Sequence, residues 1–477
     1  MGSKSLKKNA IYAFFKTFMN IAFPIITFPY ASRILTPESI GKVNFSNSII
    51  QYFIILASLG INTYATREAA KLKDDKEKLS TFAQEIFTIN LISTFISYIL
   101  FFILLFKIQI FKPYFTIMLI SCTKIFFNLI SFDWLYTAEE EFKYITLRSI
   151  FFQIISLIFL FLFVKSPTDT EKYAIFGIIS SVGSNLFNFF NLRKFINFKF
   201  QKLYIKKHLK PIFIFFGTSI VISIYTILDT SMLGFMSTAI EVGYYSVSIK
   251  IINMITSLFT AVISILLPRL SLYLNTQLIN EYKSIIIKTI NIMIILTIPS
   301  ILGLIILAKP IIFLLSGTQY QPSIKGMIIM SPTIFMCVFA SIAGTILTSK
   351  KKEKISFYAC FIGSIINIIL NSLLIPKFGY IGATIGTVIT QTIVMIHQII
   401  PEKEFFLNKK IYTNLFSVCI SALIMCIAII FIKHIIKNNF LLIVISVISG
   451  IIIYSICLFI MKNKTFIEYI NSLKHKK

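Results

Sequence analysis

Residues 86–106, IFTINLISTFISYILFFILLF, form an apolar stretch of 21 residues without a charged side chain. At 1.5 Å per residue a helix of this length is about 30 Å long, which matches the hydrocarbon core of a bilayer. The helix of a soluble protein would carry a polar face, whereas this stretch offers only scattered hydroxyl groups and one amide. The stretch therefore predicts a transmembrane helix.

The same pattern recurs from one end of the chain to the other. Hydrophobic residues make up 56% of the sequence and charged residues 14%, and the mean hydropathy is +0.84. The connections between apolar segments are too short to fold a soluble domain. We therefore expect an all-α integral membrane protein with about 14 transmembrane helices, at 10–32, 44–62, 82–106, 114–132, 145–164, 173–192, 211–235, 244–267, 284–308, 323–348, 355–375, 380–400, 411–432 and 440–461.

The net charge of +27 could suggest a nucleic-acid partner, but its distribution indicates a membrane topology instead. Alternate loops and tails hold nearly three times as many lysines and arginines as the others. This bias predicts a multi-pass protein with both termini in the cytoplasm and no nucleic-acid partner. The basic run from Arg193 to Lys210 is then better explained as a topology anchor at the lipid surface than as a binding site.

The sequence offers no metal site and no cofactor motif. The six cysteines lie in apolar segments without a CxxC, and the four histidines share no helix. A phosphate-binding P-loop and a dinucleotide-binding GxGxxG are both lacking, which argues against direct ATP drive. We expect no cofactor, and a coupling ion, H⁺ or Na⁺, stays an open alternative.

The chain resembles itself at an offset of 202 residues. Identical pairs at this offset include Thr36 and Thr238, Gly41 and Gly243, Ser46 and Ser248, and Arg67 and Arg269. Six segments separate the repeats, so both have the same orientation in the membrane, and a substrate site would lie between two six-helix lobes. The predicted division is an N-terminal lobe (1–192), a basic cytoplasmic linker (193–210), a C-terminal lobe (211–400), and a final helix pair with a basic tail (401–477).

Several motifs follow one another in an order typical of one family. Asn9 and Tyr12 precede a proline-containing first helix, and the loop from Arg33 to Gly41 contains Thr-Pro-Glu. The second lobe repeats this opening between Asp229 and Tyr245, and Leu373 to Thr384 forms a glycine-rich hairpin. Together these motifs resemble the Wzx-type polysaccharide flippases of the multidrug/oligosaccharidyl-lipid/polysaccharide exporter superfamily. Thr36 departs from the glycine that is common there, which a turn tolerates.

The resemblance implies two six-helix bundles around a central cavity, plus two C-terminal helices. It implies a flippase, not an enzyme, that carries an oligosaccharide linked to undecaprenyl diphosphate across the bacterial inner membrane by alternating access. The glycan would be an O-antigen, capsule or related repeat unit. Polysaccharide polymerase and chain-length machinery are the partners that such a protein would have, and a monomer is expected.

Charged side chains at bilayer depth are costly and usually face a cavity or a partner. Lys124 lies in the middle of its segment, too deep for easy snorkelling, with Asn128 one turn on. We expect Lys124 to line a cationic substrate path that suits a diphosphate, with a buried structural pairing as the alternative. Further candidates for this path are Lys16, Asn20, Asn47, Gln51, Lys250 and Asn253; snorkelling explains Lys16 equally well, and helix–helix hydrogen bonds could explain Asn47 and Gln51.

Helix breakers and turn residues provide the gate or hinge candidates. Pro24 and Pro29 remove backbone hydrogen bonds within the first segment, although simple curvature would explain them equally well. The other candidates flank the two repeated turns and are Arg33, Gly41, Asp229 and Gly243.

Two other classes of function are less well supported. A multidrug or cation antiporter of the same superfamily would need acidic residues deep in the first lobe, where the sequence has none. A membrane glycosyltransferase or polymerase would need a catalytic group, commonly on a large outer loop, and the outer loops here are short. A passive scaffold would leave Lys124 unexplained.

Overall fold

The computed structural model of the protein describes residues 6–197 and 203–474. Every regular element within these ranges is helical. The chain divides into two compact units, unit 1 up to Gly243 and unit 2 from Tyr244. The predicted lobes divide instead at the linker 193–210, of which residues 198–202 lie outside the described ranges. The lobe boundaries follow from the repeat and stay a prediction.

Unit 1 contains ten helices and the first residues of an eleventh in its described part. They are α1 (Leu6–Ile34), α2 (Pro37–Ser58), α3 (Ile61–Leu72), α4 (Lys76–Lys107), α5 (Phe115–Leu129), α6 (Asp133–Ala138), α7 (Phe142–Phe163), α8 (Thr170–Ile178), α9 (Asn185–Asn191), α10 (Lys206–Met236) and α11 (Ala239–Ser264), which continues into unit 2. A π-helical turn, Ile179–Gly183, joins α8 to α9, and 3-10 turns span Gln109–Tyr114 and Leu192–Lys194.

Unit 2 continues with eleven helices. They are α12 (Leu266–Asn275), α13 (Ile279–Ile306), α14 (Ala308–Leu315), α15 (Ser323–Met330), α16 (Thr333–Ser349), α17 (Glu353–Phe378), α18 (Tyr380–Ile399), α19 (Lys403–Phe406), α20 (Lys409–Ile435), α21 (Asn439–Ile460) and α22 (Lys464–Lys474). Its core is formed mainly by α13, α16, α20 and α21 and includes Ile290, Met293, Val338, Val418 and Leu458.

The predicted fold class is confirmed. Twelve helical spans in the described ranges are long and apolar enough to cross a membrane, and α10, counted as one bent span, makes thirteen. Helix α1, which is not among them, has 29 residues, and all fourteen predicted segments lie on helices. Outward-facing side chains such as Phe106, Phe416 and Ile427 are large and apolar, as lipid contact requires.

The repeated turns before α2 and α11 have the same local structure. The Thr36 hydroxyl accepts the backbone N–H of Ser39 at 3.2 Å, and the Thr238 hydroxyl accepts that of Glu241 at 3.4 Å. Each threonine thus begins its helix by satisfying an N–H group that has no partner within the helix. The 202-residue repeat is therefore visible in the capping geometry as well as in the sequence.

The turn between α7 and α8 is bound to the neighbouring helix ends in unit 1. The Tyr30 hydroxyl donates to the Val164 carbonyl at 2.9 Å, and the Ser39 hydroxyl donates to the Pro167 carbonyl at 3.3 Å. Lys172 and the backbone N–H groups of Lys165 and Ser166 lower the pKa of the Asp169 carboxyl to about 2. The carboxylate is therefore ionised throughout the physiological range and keeps this turn closed.

Candidate functional site

A line of polar side chains joins α2 and α5 inside the membrane-spanning part of unit 1. The Lys124 ammonium donates to the Asn47 amide oxygen at 2.6 Å. One turn further along α5, the Asn128 amide donates to the Ser58 hydroxyl at 2.9 Å. Because Lys124 and Asn128 are four residues apart, they share one face of α5 and meet the same face of α2. The structure thus brings three predicted path residues together.

The charge of Lys124 has no acidic counterpart among the described residues, since its one polar partner there is a neutral amide. The side chain is half-buried on an apolar helix. An ammonium group held in this way is positioned for an anion, because a charge-assisted hydrogen bond to a phosphate or carboxylate would lower its cost. Gln51, one turn from Asn47 on α2, is exposed and extends the same polar line.

Asn20 and Lys16 lie on α1 at the same four-residue spacing. The Asn20 amide oxygen accepts from the Gln153 amide of α7 at 2.9 Å, and Gln153 is buried. Lys16 is half-buried. Sequence analysis identified Asn20 but not Gln153, although a lone glutamine in the apolar segment 145–164 was a usable signal. The contact shows that Asn20 helps to hold two helices together.

The second-lobe candidates, Lys250 and Asn253, lie on the part of α11 that belongs to unit 2. Lys250 is half-buried and Asn253 is exposed. They are three residues apart and so lie on neighbouring positions of one helical face. Their place in a substrate path stays a prediction.

Two gate candidates contact each other reciprocally. A Cβ atom built on Gly41 would overlap the carbonyl oxygen of Ala239, and one built on Gly243 would overlap the carbonyl oxygen of Pro37. Pro37 and Ala239 are themselves related by the 202-residue offset. The first turns of α2 and α11 therefore pack backbone against backbone in a two-fold arrangement that only glycine permits at either position.

The other gate candidates lie on α1 and α10. Pro24 and Pro29 are inside α1, which continues through both to Ile34, and Arg33 is in its last turn. Asp229 lies half-buried on α10, two residues before Ser231, whose hydroxyl pairs with the Tyr52 hydroxyl at 2.8 Å. Helix α10 is thus tied to α2 at this level, a contact that sequence reasoning missed.

A buried chain of three side chains, Tyr64, His208 and Glu85, was also missed. Glu85 is 1% exposed, and its Oε2 accepts from His208 Nε2 at 2.8 Å and from the Lys207 ammonium at 2.9 Å. The Tyr64 hydroxyl lies 2.7 Å from His208 Nδ1. Because a carboxylate only accepts, His208 Nε2 carries the proton in this chain. Part of the basic run predicted as a lipid anchor is therefore fixed to α4.

We expect Glu85→Ala to lower the melting temperature of the purified protein by roughly 10 °C. The substitution leaves the buried His208 Nε2–H and the backbone N–H of Tyr204 without their acceptor, and each buried donor left unsatisfied costs about 1–3 kcal/mol. Glu77→Gln, at an exposed position of the same helix, is the matched control. Equal melting temperatures for the two variants would show that the chain contributes nothing to stability.

A buried cation, Arg148, is held near the beginning of α7. Arg148 donates to the Asp133 carboxylate at 2.9 Å, and the Asn188 amide donates to the same oxygen at 3.0 Å. The guanidinium also lies over the Tyr144 ring, with 5.8 Å to its centre. Arg148 is thus part of a structural cluster that joins α6, α7 and α9.

No group of three His, Cys, Asp or Glu side chains that could hold a metal ion occurs in the described ranges. The six cysteines are unpaired thiols. What the described site offers is therefore cations and neutral amides within apolar helices, which is an arrangement for binding an anion or a polar group inside a membrane.

This chain is similar to proteins of polysaccharide biosynthesis and to proteins named as O-antigen transporters. The family model described as polysaccharide biosynthesis protein matches residues 6–274. A protein from Escherichia coli (strain K12) named "Putative O-antigen transporter" is 25% identical over 362 residues, covering 74% of this chain and 86% of that protein. A protein of the same name from Shigella dysenteriae is 22% identical over 271 residues, which cover 56% of this chain and 67% of that protein.

Solved structures of membrane transporters share the fold of this chain. The lipid II flippase MurJ in an inward closed conformation superposes with a TM-score of 0.74 at 20% identity, covering 95% of this chain and 98% of that one. An inward-facing multidrug resistance MATE family transporter of the MOP superfamily gives a TM-score of 0.62 at 13% identity, covering 82% and 95%. The helical architecture expected from the sequence is therefore that of known membrane transporters.

Proposed function

Because this chain belongs to the polysaccharide biosynthesis protein family, we propose that it moves an oligosaccharide linked to undecaprenyl diphosphate across the bacterial inner membrane. The direction is from the cytoplasmic to the outer leaflet, by alternating access. The relatives named "Putative O-antigen transporter" support an O-antigen repeat unit as the cargo, and a capsule or related repeat unit is the alternative. No catalytic step is required of the chain, because the cargo leaves chemically unchanged.

The observation that carries this proposal is the uncompensated Lys124 ammonium within the α2–α5 polar line. A diphosphate and a glycan do not partition into hydrocarbon, so a flippase must supply a path with polar and cationic groups. Lys124 would bind a phosphate oxygen by charge-assisted hydrogen bonds. Asn47, Gln51 and Asn128 would take glycan hydroxyl groups in place of water.

The remaining candidate residues would line the substrate path or form its gates. Lys16 and Asn20 of α1 would extend the cationic path within unit 1, and Lys250 and Asn253 of α11 would provide cationic and polar groups within unit 2. The reciprocal contact of Gly41 with Gly243 would close the outer side, with Arg33 next to the first of these turns and Asp229 further back along α10, near the contact of Ser231 with Tyr52. Pro24 and Pro29 would let α1 bend during the cycle.

Net transport in one direction requires a source of free energy, and the exported product requires proteins that receive it. No bound cofactor is needed, and an H⁺ or Na⁺ gradient, the membrane potential or consumption of the exported glycan would each supply a driving force. We propose a monomer with both termini in the cytoplasm. A polysaccharide polymerase and its chain-length regulator would receive the product in the outer leaflet.

The test is complementation of a bacterial strain that lacks its own polysaccharide flippase. We expect surface glycan to return when this chain is expressed, with membrane protein level measured in parallel. Unchanged glycan at normal protein level in strains that make several different repeat units would contradict the proposal. A drug-efflux assay on the same strains would then test the alternative that the sequence left open, a multidrug or cation antiporter.

A further inference from the structure

Unit 2 contains a polar pocket where four helix ends meet. The first turns of α13 and α20, the end of α21 and the beginning of α22 surround a space of about 840 Å³. Its lining comes from positions in 280–291, 414–417 and 461–468. On the predicted topology this pocket opens at the cytoplasmic surface of the membrane, and none of the proposed path residues lines it.

The floor of the pocket is a rigid network of buried amides. The Asn414 amide donates to the Asn291 amide oxygen at 3.0 Å, and the Asn463 amide donates to the Asn414 amide oxygen and the Ser417 hydroxyl, both at 2.6 Å. The Asn463 amide oxygen in turn accepts the N–H of Phe466 in the first turn of α22. All three asparagines are at least 95% buried. The network fixes the positions of three helices and hence the shape of the pocket.

The rim of the pocket carries four lysines, Lys283, Lys288, Lys462 and Lys464, and one carboxylate, Glu468. All four lysines are exposed, and none forms an ion pair in the part of the chain that the structure describes. Lys462 adopts a left-handed conformation with φ of 50°. Like charges gathered around one concavity repel one another unless an anion lies between them. The pocket therefore has an excess of positive charge that an anion would neutralise.

The surroundings indicate what kind of anion fits. Beyond the pocket, the outward faces of α20 and α21 are apolar and exposed, with Leu423, Ile427, Ile448 and Ile451 among their side chains. An acyl or prenyl chain lying on these faces would bring its head group to the pocket. Basic pockets between transmembrane helices at the cytoplasmic surface bind phosphate-bearing head groups.

We propose that this α13–α20–α22 pocket binds the phosphate head group of an anionic membrane lipid. The lysines would contact the phosphate oxygens, and the buried asparagines would hold the helices that present them. A bilayer phospholipid and a polyprenyl diphosphate carrier share this chemistry. The proposal depends on membrane insertion but not on the flippase activity, so the two can fail separately.

The test uses native mass spectrometry of the purified full-length chain, with phosphatidylglycerol, cardiolipin, undecaprenyl diphosphate and zwitterionic phosphatidylethanolamine added one at a time. We expect the anionic lipids to bind more tightly than phosphatidylethanolamine. A variant with glutamine at positions 283, 288, 462 and 464 should lose at least about tenfold in affinity, since each lysine near an anionic surface contributes to binding.

The matched control replaces four exposed lysines elsewhere in unit 2, Lys351, Lys352, Lys354 and Lys403, by glutamine. It changes the net charge equally and should keep wild-type affinity. Preference for cardiolipin or phosphatidylglycerol would identify a bilayer lipid, and preference for undecaprenyl diphosphate a carrier lipid; both support the proposal. Equal loss in the two variants, or no preference for anionic lipid, would overturn it. The double variant K462Q/K464Q gives the same comparison if the fourfold variant is poorly expressed.

Discussion

Gly41→Ala is expected to destabilise the protein by more than about 3 kcal/mol, beyond the usual cost of an overpacked site. The added methyl group would overlap the backbone carbonyl of Ala239, and no side-chain rotation can relieve a collision with backbone. In an ordinary helix the same substitution would stabilise by about 1 kcal/mol, because alanine is the better helix former. We expect less folded protein in the membrane and a lower melting temperature after purification.

A backbone collision and an ordinary helix substitution change the stability in opposite directions. Gly303→Ala in α13 is the matched control, because no atom lies within 4 Å of its added methyl group. It should be neutral or stabilising, whereas Gly243→Ala should reproduce the Gly41 defect. If Gly41→Ala melts at the same temperature as Gly303→Ala, the two turns are not in contact in the populated state of the protein.

Lys124→Ala is expected to lower glycan export by about 10- to 100-fold at matched protein level. A charge-assisted hydrogen bond contributes about 1.5–3 kcal/mol, and each 1.4 kcal/mol corresponds to a factor of ten in rate. Removing the ammonium also leaves the Asn47 amide oxygen without the donor that it has in the structure. The measurement is surface glycan per molecule of membrane-inserted protein in the complementation strain.

Three further variants separate charge from packing. Lys124→Met keeps the apolar stem and should fail as the alanine variant does, whereas Lys124→Arg should be milder because the positive charge remains. Lys107→Ala, at the exposed end of α4, should export normally. Wild-type export by both Lys124→Ala and Lys124→Met would leave Lys124 as a structural partner of Asn47 and remove it from the transport path.

The amino-acid sequence was enough to show that the chain lies in a membrane, that it is built from transmembrane helices, and which family it resembles. A single apolar segment of about 20 residues can adopt only one regular structure in lipid. That structure is a helix, because a helix pairs the backbone N–H and C=O groups of the segment with one another. The fourteen segments could therefore be placed without knowledge of their neighbours. The repeated turns at Thr36 and Thr238 could also be recognised from the sequence, because helix capping depends on only three or four neighbouring residues.

The tertiary structure alone decided which side chains meet. Asn47 contacts Lys124 across 77 residues, Asn20 contacts Gln153 across 133, and Glu85 contacts His208 across 123. The physical reason is that lipid and protein core are both apolar, so the side chains of a membrane helix do not reveal which face is buried. The sequence showed that Lys124 is a charge at bilayer depth that requires a polar partner or a cavity. Only the packing of α5 against α2 showed that its partner is the neutral amide of Asn47.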